Sequence, residues 1–343
     1  MKVLAIGQIM LDQLTLVEVY PEEGTKITPN SIETSIGGSA VNALAMLSKL
    51  GVECTLIAAI GDDEHGRLVV KQLEEEGIRF IPRIQKQTKV HTAIINMSNG
   101  SRTIIKDTVI SDPITDIPEE IIKEHDMIIF DRHVRDSFEE VLEKKRPETK
   151  TLVDPSIEVS KDTLYMIENA DYPIIPIEIL EEYSKDRSLE ENLYSIYAMT
   201  KKPIVVTMGS NGTITFDGKI LKHYNPVDVK AVDTLGAGDV FRGVFAYGVL
   251  NNWDIEKTIT LANYSAALQC TKIGGVSAIP TKQEIYEFRK TAATREIDLE
   301  YIGFKQFRNE QIKTQEEVSL KKKDIENKKI NKLKNSVEHF SYS

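Results

Sequence analysis

Seven consecutive residues, Asp233-Thr234-Leu235-Gly236-Ala237-Gly238-Asp239, carry the chain's strongest chemical signal. Gly236 and Gly238 let backbone N–H groups approach a ligand closely. Val240, Phe241, Val244, Phe245, Val249 and Leu250 recur behind them at helical spacing, so the glycines open a helix whose positive dipole end faces the same place. Ahead of them Val227, Val229 and Val232, spaced among polar residues, read as a short strand. Strand, glycine turn and helix start make a corner that holds phosphate. Asp239 adds a carboxylate, which can take the proton of a hydroxyl attacking the γ-phosphate of ATP. By itself the same run would serve equally as a tight turn with an acidic helix cap.

A second glycine turn, Gly37-Gly38-Ser39-Ala40-Val41-Asn42-Ala43-Leu44-Ala45, runs into another apolar helix that Gly51 closes. Gly37 and Gly38 allow a substrate to lie against backbone, and Asn42 offers a hydroxyl both donor and acceptor. The plainer alternative is packing glycines and a polar first-turn residue. Two other nucleotide signatures are disfavoured. The run G-x-x-x-x-G-K-[ST] does not occur, and Gly236-x-Gly238 lacks the third glycine of a dinucleotide fingerprint and falls late in the chain.

Together the D-T-x-G-A-G-D run and the G-G-x-x-x-N-x-A turn resemble the two signatures of the ribokinase-type (PfkB) carbohydrate kinases. Gly236-to-Phe241, with Cys270-Thr271-Lys272 and Gly274-Gly275, is most similar to the ketohexokinase-like and sulfofructose-kinase-like branch. The resemblance covers about residues 1–292. It implies a ribokinase-like α/β fold, with a mainly parallel central sheet covered by helices on both faces and a small β-sheet lid from about 12–36 and 88–110. It implies ATP-dependent phosphorylation of a sugar hydroxyl, with Asp239 as general base and the N–H groups of Gly236, Ala237 and Gly238 as anion hole. Asp12, which follows the first strand Val3-to-Gly7, matches a sugar-binding aspartate, joined by Gly37, Gly38 and Asn42. Thr207, Gly209, Ser210 and Gly212 match the T-x-G-x-x-G that contacts ATP, with Thr234, Asn263 and Ala266 around the nucleotide. ATP with Mg²⁺ is the implied cofactor pair. In some members carbonyls around Asp233 and the Gly274-to-Pro280 loop also bind a monovalent cation such as K⁺. The family's N-x-x-E is missing: Pro176-Ile177-Glu178-Ile179 stands there, which leaves the metal ligands unknown, with Glu178 or Glu181 as substitutes.

Basic residues suit an anionic sugar, and Lys26, Arg102, Lys106 and Arg132 are the candidates. The alternatives are a nucleoside as substrate, or a catalytically weak sugar-binding regulator. The resemblance also allows for a homodimer through the lid, since an exposed strand edge invites pairing.

These elements need a chain with a sizeable core, and 343 residues with 41% hydrophobic content supply it. Strand–helix alternation argues for the parallel sheet independently. A net charge of −10 makes nucleic acid an unlikely general partner. Cys54 and Cys270 sit in no metal or redox spacing, and Met1 to Leu16 reads as a first strand, so a cytoplasmic kinase with no membrane partner is expected. Residues 1–296 form the expected kinase domain. Residues 297–343 change character: Lys321, Lys322, Lys323, Lys328, Lys329, Lys332 and Lys334 mark a basic tail, helical or flexible.

Overall fold

Strand β1 (Lys2–Ile6) is an uninterrupted apolar run because both of its faces are covered. Val3 and Ala5 face a cluster with the helices Ser39–Lys49 and Ala237–Leu250. Leu4 and Ile6 face the opposite cluster, with Phe138 and Val141 of the helix Arg135–Lys144 and Met166 of Lys161–Asn169. The computed structural model describes residues 1–98, 101–297, 299, 303 and 304.

In chain order the further strands are β2 (Met10–Val17), β3 (Ser31–Gly37), β4 (Glu53–Gly61), β5 (Ile78–Gln85), β6 (Val90–Asn96) and β7 (Arg102–Ile105). They continue with β8 (Met127–Asp131), β9 (Lys150–Asp154), β10 (Tyr172–Pro176), β11 (Ile204–Thr207), β12 (Thr213–Phe216) and β13 (Leu221–Tyr224). Nine of them form one sheet in the order β13-β12-β11-β10-β9-β8-β1-β4-β5. Pairing is parallel from β5 across to β11, and β12 and β13 return antiparallel. The sheet thus bears out the expected doubly covered α/β fold.

The other four strands make the lid, in the order β3-β2-β6-β7. Its hairpins are antiparallel and its central β2–β6 pair is parallel. Leu14, Ala93 and Ile95 form a small cluster on its inner face.

Two expectations change. Val227 to Val232 is not a strand: Val227 makes one isolated bridge to Thr294, and the Val232 N–H turns to the Cys270 carbonyl at 2.8 Å. Pro226 contributes no donor to a ladder there. The folded body also passes residue 296, since Leu299 and Phe304 pack into the cluster around Ile175 and Phe216. Lysines 321 to 334 lie outside the described residues.

Phe130, next to last in β8, is fully buried, with its ring edge-on to Phe138 at 5.1 Å. Phe130→Ala should lower unfolding free energy by about 3–5 kcal/mol in urea titrations, with the denaturant slope unchanged.

Candidate active site

A cavity of about 390 Å³ lies between the C-terminal ends of the central strands and the inner face of the lid. That is where an open α/β sheet presents its loops. Gln8, just past β1, lines it, as do Asp131 and Asp154, which end β8 and β9 in register with each other. The lid contributes Asp12, Leu14, His91, Arg102 and Lys106, and the two glycine turns contribute Gly38, Asn42 and Asp239. Motifs nearly two hundred residues apart therefore meet in one chamber.

Asp239 sits in the first turn of Ala237–Leu250, whose N-terminus has Gly236 in the left-handed region (φ 75°) and no side-chain cap. The first-turn N–H groups of an α-helix have no intrahelical acceptor. Ala237 N–H reaches Thr234 O at 3.3 Å, a long bond, so Gly238 offers the more open donor. Asn42 Nδ2 donates to Asp239 Oδ2 at 2.6 Å, and Arg242 Nη2 donates to Oδ1 at 2.5 Å. Burial pushes the Asp239 carboxyl up, and the Arg242 guanidinium and the Asn42 amide pull it back. Arg242 is itself buried and reaches Asp154 at 2.8 Å, which also accepts the Ser39 hydroxyl.

Asn42 retains a buried Oδ1 with no partner among the described residues, an acceptor that a substrate hydroxyl would satisfy. Asp12 is similarly open: His91 Nδ1 stands 3.7 Å away, beyond hydrogen-bond length. Burial raises Asp12 to about 6, with Arg102 pulling down. Gly37 acts differently from expectation. A Cβ there would lie 2.1 Å from Asp12 Oδ2, so the missing side chain makes room for the aspartate rather than for substrate. Gly38 does face the cavity, with φ 126° and Gln8 O 2.4 Å from where a Cβ would be.

The expected anion contacts divide. Arg102 donates to Asp233 at 2.6 Å, and Arg132 pairs with Glu158, so both line the cavity with their charge already met. Lys26 is exposed on the connection between β2 and β3, away from the cavity. Lys106 lines the cavity without a carboxylate partner among the described residues. Burial first, then Lys89 and Lys106, depress His91; burial first, then Arg132, Lys89 and Lys106, depress His133 to about 4.

The expected nucleotide contacts lie apart from this chamber. Thr207 ends β11, Gly209 and Ser210 form a short 3₁₀ turn, and Gly212 follows with φ 84°. Asn263 on Ile255–Gln269 accepts from Thr213 Oγ1 at 2.7 Å, which pins β12 to that helix. Ala266 packs partly against the core, and Thr234 is exposed at the glycine turn. Glu178 and Glu181 stand exposed on the helix Ile177–Tyr183, and no cluster of metal-binding geometry occurs among the described residues.

Sequence reasoning passed over Asp131 and Asp154. Each ends an apolar strand with a carboxylate at the ligand-binding edge, and that position was the available signal. Asp131 accepts the N–H groups of Gln8 at 2.6 Å and His133 at 2.9 Å, yet burial still raises it to about 6.

Asp12 and Asp131 bind protons more readily folded than unfolded. Their stabilisation is complete below the ordinary value of 3.8 and is lost as pH rises through about 6. The effect is at most about 3 kcal/mol for each. Asp63, Asp107 and Glu284, held low, act in the opposite sense and only in stronger acid. Across the same range His91, His125, His133 and His223, held low mainly by burial, add stability as pH rises. In urea titrations Asp131→Asn should therefore gain stability relative to wild type between about pH 4 and pH 7.

The pfkB family carbohydrate kinase model matches residues 1–282. The chain is 29% identical over 294 residues to a ribokinase of Lactococcus lactis, covering 83% of this chain and 95% of that protein. It is 28% identical over 304 residues to an ATP-dependent ribose-1-phosphate kinase of Halopiger xanaduensis, covering 84% and 97%. The crystal structure of ribokinase from Thermotoga maritima superposes with a TM-score of 0.73 at 24% identity, covering 84% of this chain and 99% of that one. With its nine-stranded sheet, its lid and both glycine turns facing one cavity, this chain belongs to the PfkB family of carbohydrate kinases.

Proposed function

We propose that this protein transfers the γ-phosphoryl group of ATP to a hydroxyl of a sugar, with Asp239 as the general base. One observation carries the reading: Asp239 enters the cavity beside an uncapped helix start, in a chamber that also holds two open acceptors, Asp12 and the Asn42 Oδ1. A sugar needs acceptors at several hydroxyls, and Asp12, Asn42 and Asp131 supply them. Gly236 and Gly238, with Ala237 in support, direct N–H groups at the transferring phosphoryl group. Preorganised donors of this kind hold developing charge without reorganising. Phosphoryl transfer depends chiefly on positioning and electrostatics, so an aspartate as base is adequate. The turn Thr207–Gly212 with Thr234, Asn263 and Ala266 is the proposed nucleotide side. Mg²⁺ would accompany ATP and offset phosphate charge; with no protein cage among the described residues, phosphates and water would hold it.

For the acceptor we favour a sugar, a ketose among the candidates, that carries an anionic group. Lys106 supports this, since it lines the cavity with no carboxylate partner among the described residues. The relative named a ribose-1-phosphate kinase is consistent with it. A nucleoside fits less well, since among the described residues no Phe, Tyr or Trp lines the cavity to stack a base. An exposed Ile104 and Ile105 on the edge strand β7 support pairing of two lids in a dimer.

ADP release from Mg-ATP should be measured across ketoses, aldoses, sugar phosphates, sulfosugars and nucleosides. Turnover is expected with a phosphorylated or sulfonated sugar. Asp239→Asn should lower kcat by about 10²- to 10⁴-fold, and Lys106→Ala should raise KM for the anionic sugar while sparing kcat. Ligand binding with no turnover would leave a regulatory sugar-binding protein.

A further inference from the structure

Gln269 closes the helix Ile255–Gln269 with its side chain fully buried. Its Nε2 lies 3.0 Å from the Leu235 carbonyl oxygen, 3.0 Å from that of Gly274 and 3.2 Å from that of Gly275. Carbonyl oxygens converging on a point are what a dehydrated K⁺ ion takes in place of water. Here an amide nitrogen already stands at that point. The alternative amide orientation would set Oε1 against three acceptors, so the nitrogen must face inward.

The neighbouring carboxylate is equally engaged. Asp233 Oδ1 accepts from Arg102 Nη1 at 2.6 Å and from the Leu235 N–H at 2.9 Å, and Oδ2 accepts from the Gly274 N–H at 3.0 Å. Its charge is met by a guanidinium from the lid strand β7. The monovalent cation that the family resemblance implies around Asp233 therefore does not fit the residues present.

We propose that this kinase needs no monovalent cation. Gln269 and Arg102 hold the same carbonyls and carboxylate from within the chain, and so keep Gly236–Gly238 in shape beneath Asp239. A permanent donor set replaces an exchangeable ion. Because Arg102 belongs to the lid, part of that set arrives only when lid and body are apposed. The activity half of the test rests on the kinase reading, and the thermal half does not.

Thermal unfolding and turnover would be followed in tetramethylammonium chloride and in KCl or RbCl of equal ionic strength, at about 100 mM salt. The wild-type midpoint should stay within about 1 °C and turnover within about twofold. Gln269→Ala removes the nitrogen and leaves the carbonyls. It should acquire a saturable rise in melting midpoint with K⁺ or Rb⁺ of about 2 °C or more. A saturable K⁺-specific rise in the wild-type midpoint, or several-fold activation by K⁺, would overturn the proposal. So would a folded Gln269→Ala no more responsive to K⁺ than wild type. Should that variant fail to fold, the wild-type titration decides alone. Absence of turnover in every salt would count against the kinase reading and leave the thermal result standing.

Discussion

Arg242 lies buried between two carboxylates, Asp239 at 2.5 Å and Asp154 at 2.8 Å. Those partners belong to different elements: Asp154 ends β9, and Asp239 and Arg242 are one turn apart in Ala237–Leu250. Through Asp154 and Asp239 the guanidinium also touches the second glycine turn, by Ser39 and Asn42. Taking such charges out of water costs several kcal/mol per ion, and removing one partner leaves the others uncompensated. The rest of the site follows from this arrangement. It fixes where the two glycine turns meet, and its charge opposes the upward push of burial on the Asp239 carboxyl.

Around that centre the polar groups divide by availability. Asp154, Asp233, Arg102 and Arg132 are engaged with protein partners and shape the walls. Asp12, the Asn42 Oδ1 and Lys106 face the cavity and remain open to a ligand. The inner lid face, with Leu14, Ala93 and Ile95, forms the apolar wall of the chamber. Arg102 joins that lid to the turn that carries Asp239, so lid position and turn geometry are mechanically linked.

Much of this was legible in the sequence because glycine turns followed by apolar helices are local patterns. Asp239, Gly38, Asn42 and Asp12 lie within or just beyond such patterns, and all four reach the cavity. Partners distant in the chain were not legible. Arg102 reads as a free cation until Asp233, 131 positions away, is placed beside it. Arg242, a lone charge in an otherwise apolar helical run, carried no signal of its own, although it is buried against Asp239 and Asp154. Gly37 reads as room for substrate, because only the fold brings Asp12 across from it. The spacing of Val227, Val229 and Val232 mimicked a strand, but their backbone groups had no neighbouring strand to pair with.

The most direct test of the central claim is the pH dependence of kcat/KM in wild type and in Arg242→Gln, on whichever sugar turns over. If Arg242 keeps Asp239 ionised inside the cavity, the acidic limb should move upward by about one pH unit or more in the variant. Part of the lost rate should then return at alkaline pH. An acidic limb that stays in place while activity falls equally at every pH would contradict the account. It would reduce Arg242 to a packing residue and detach Asp239 from the role given to it.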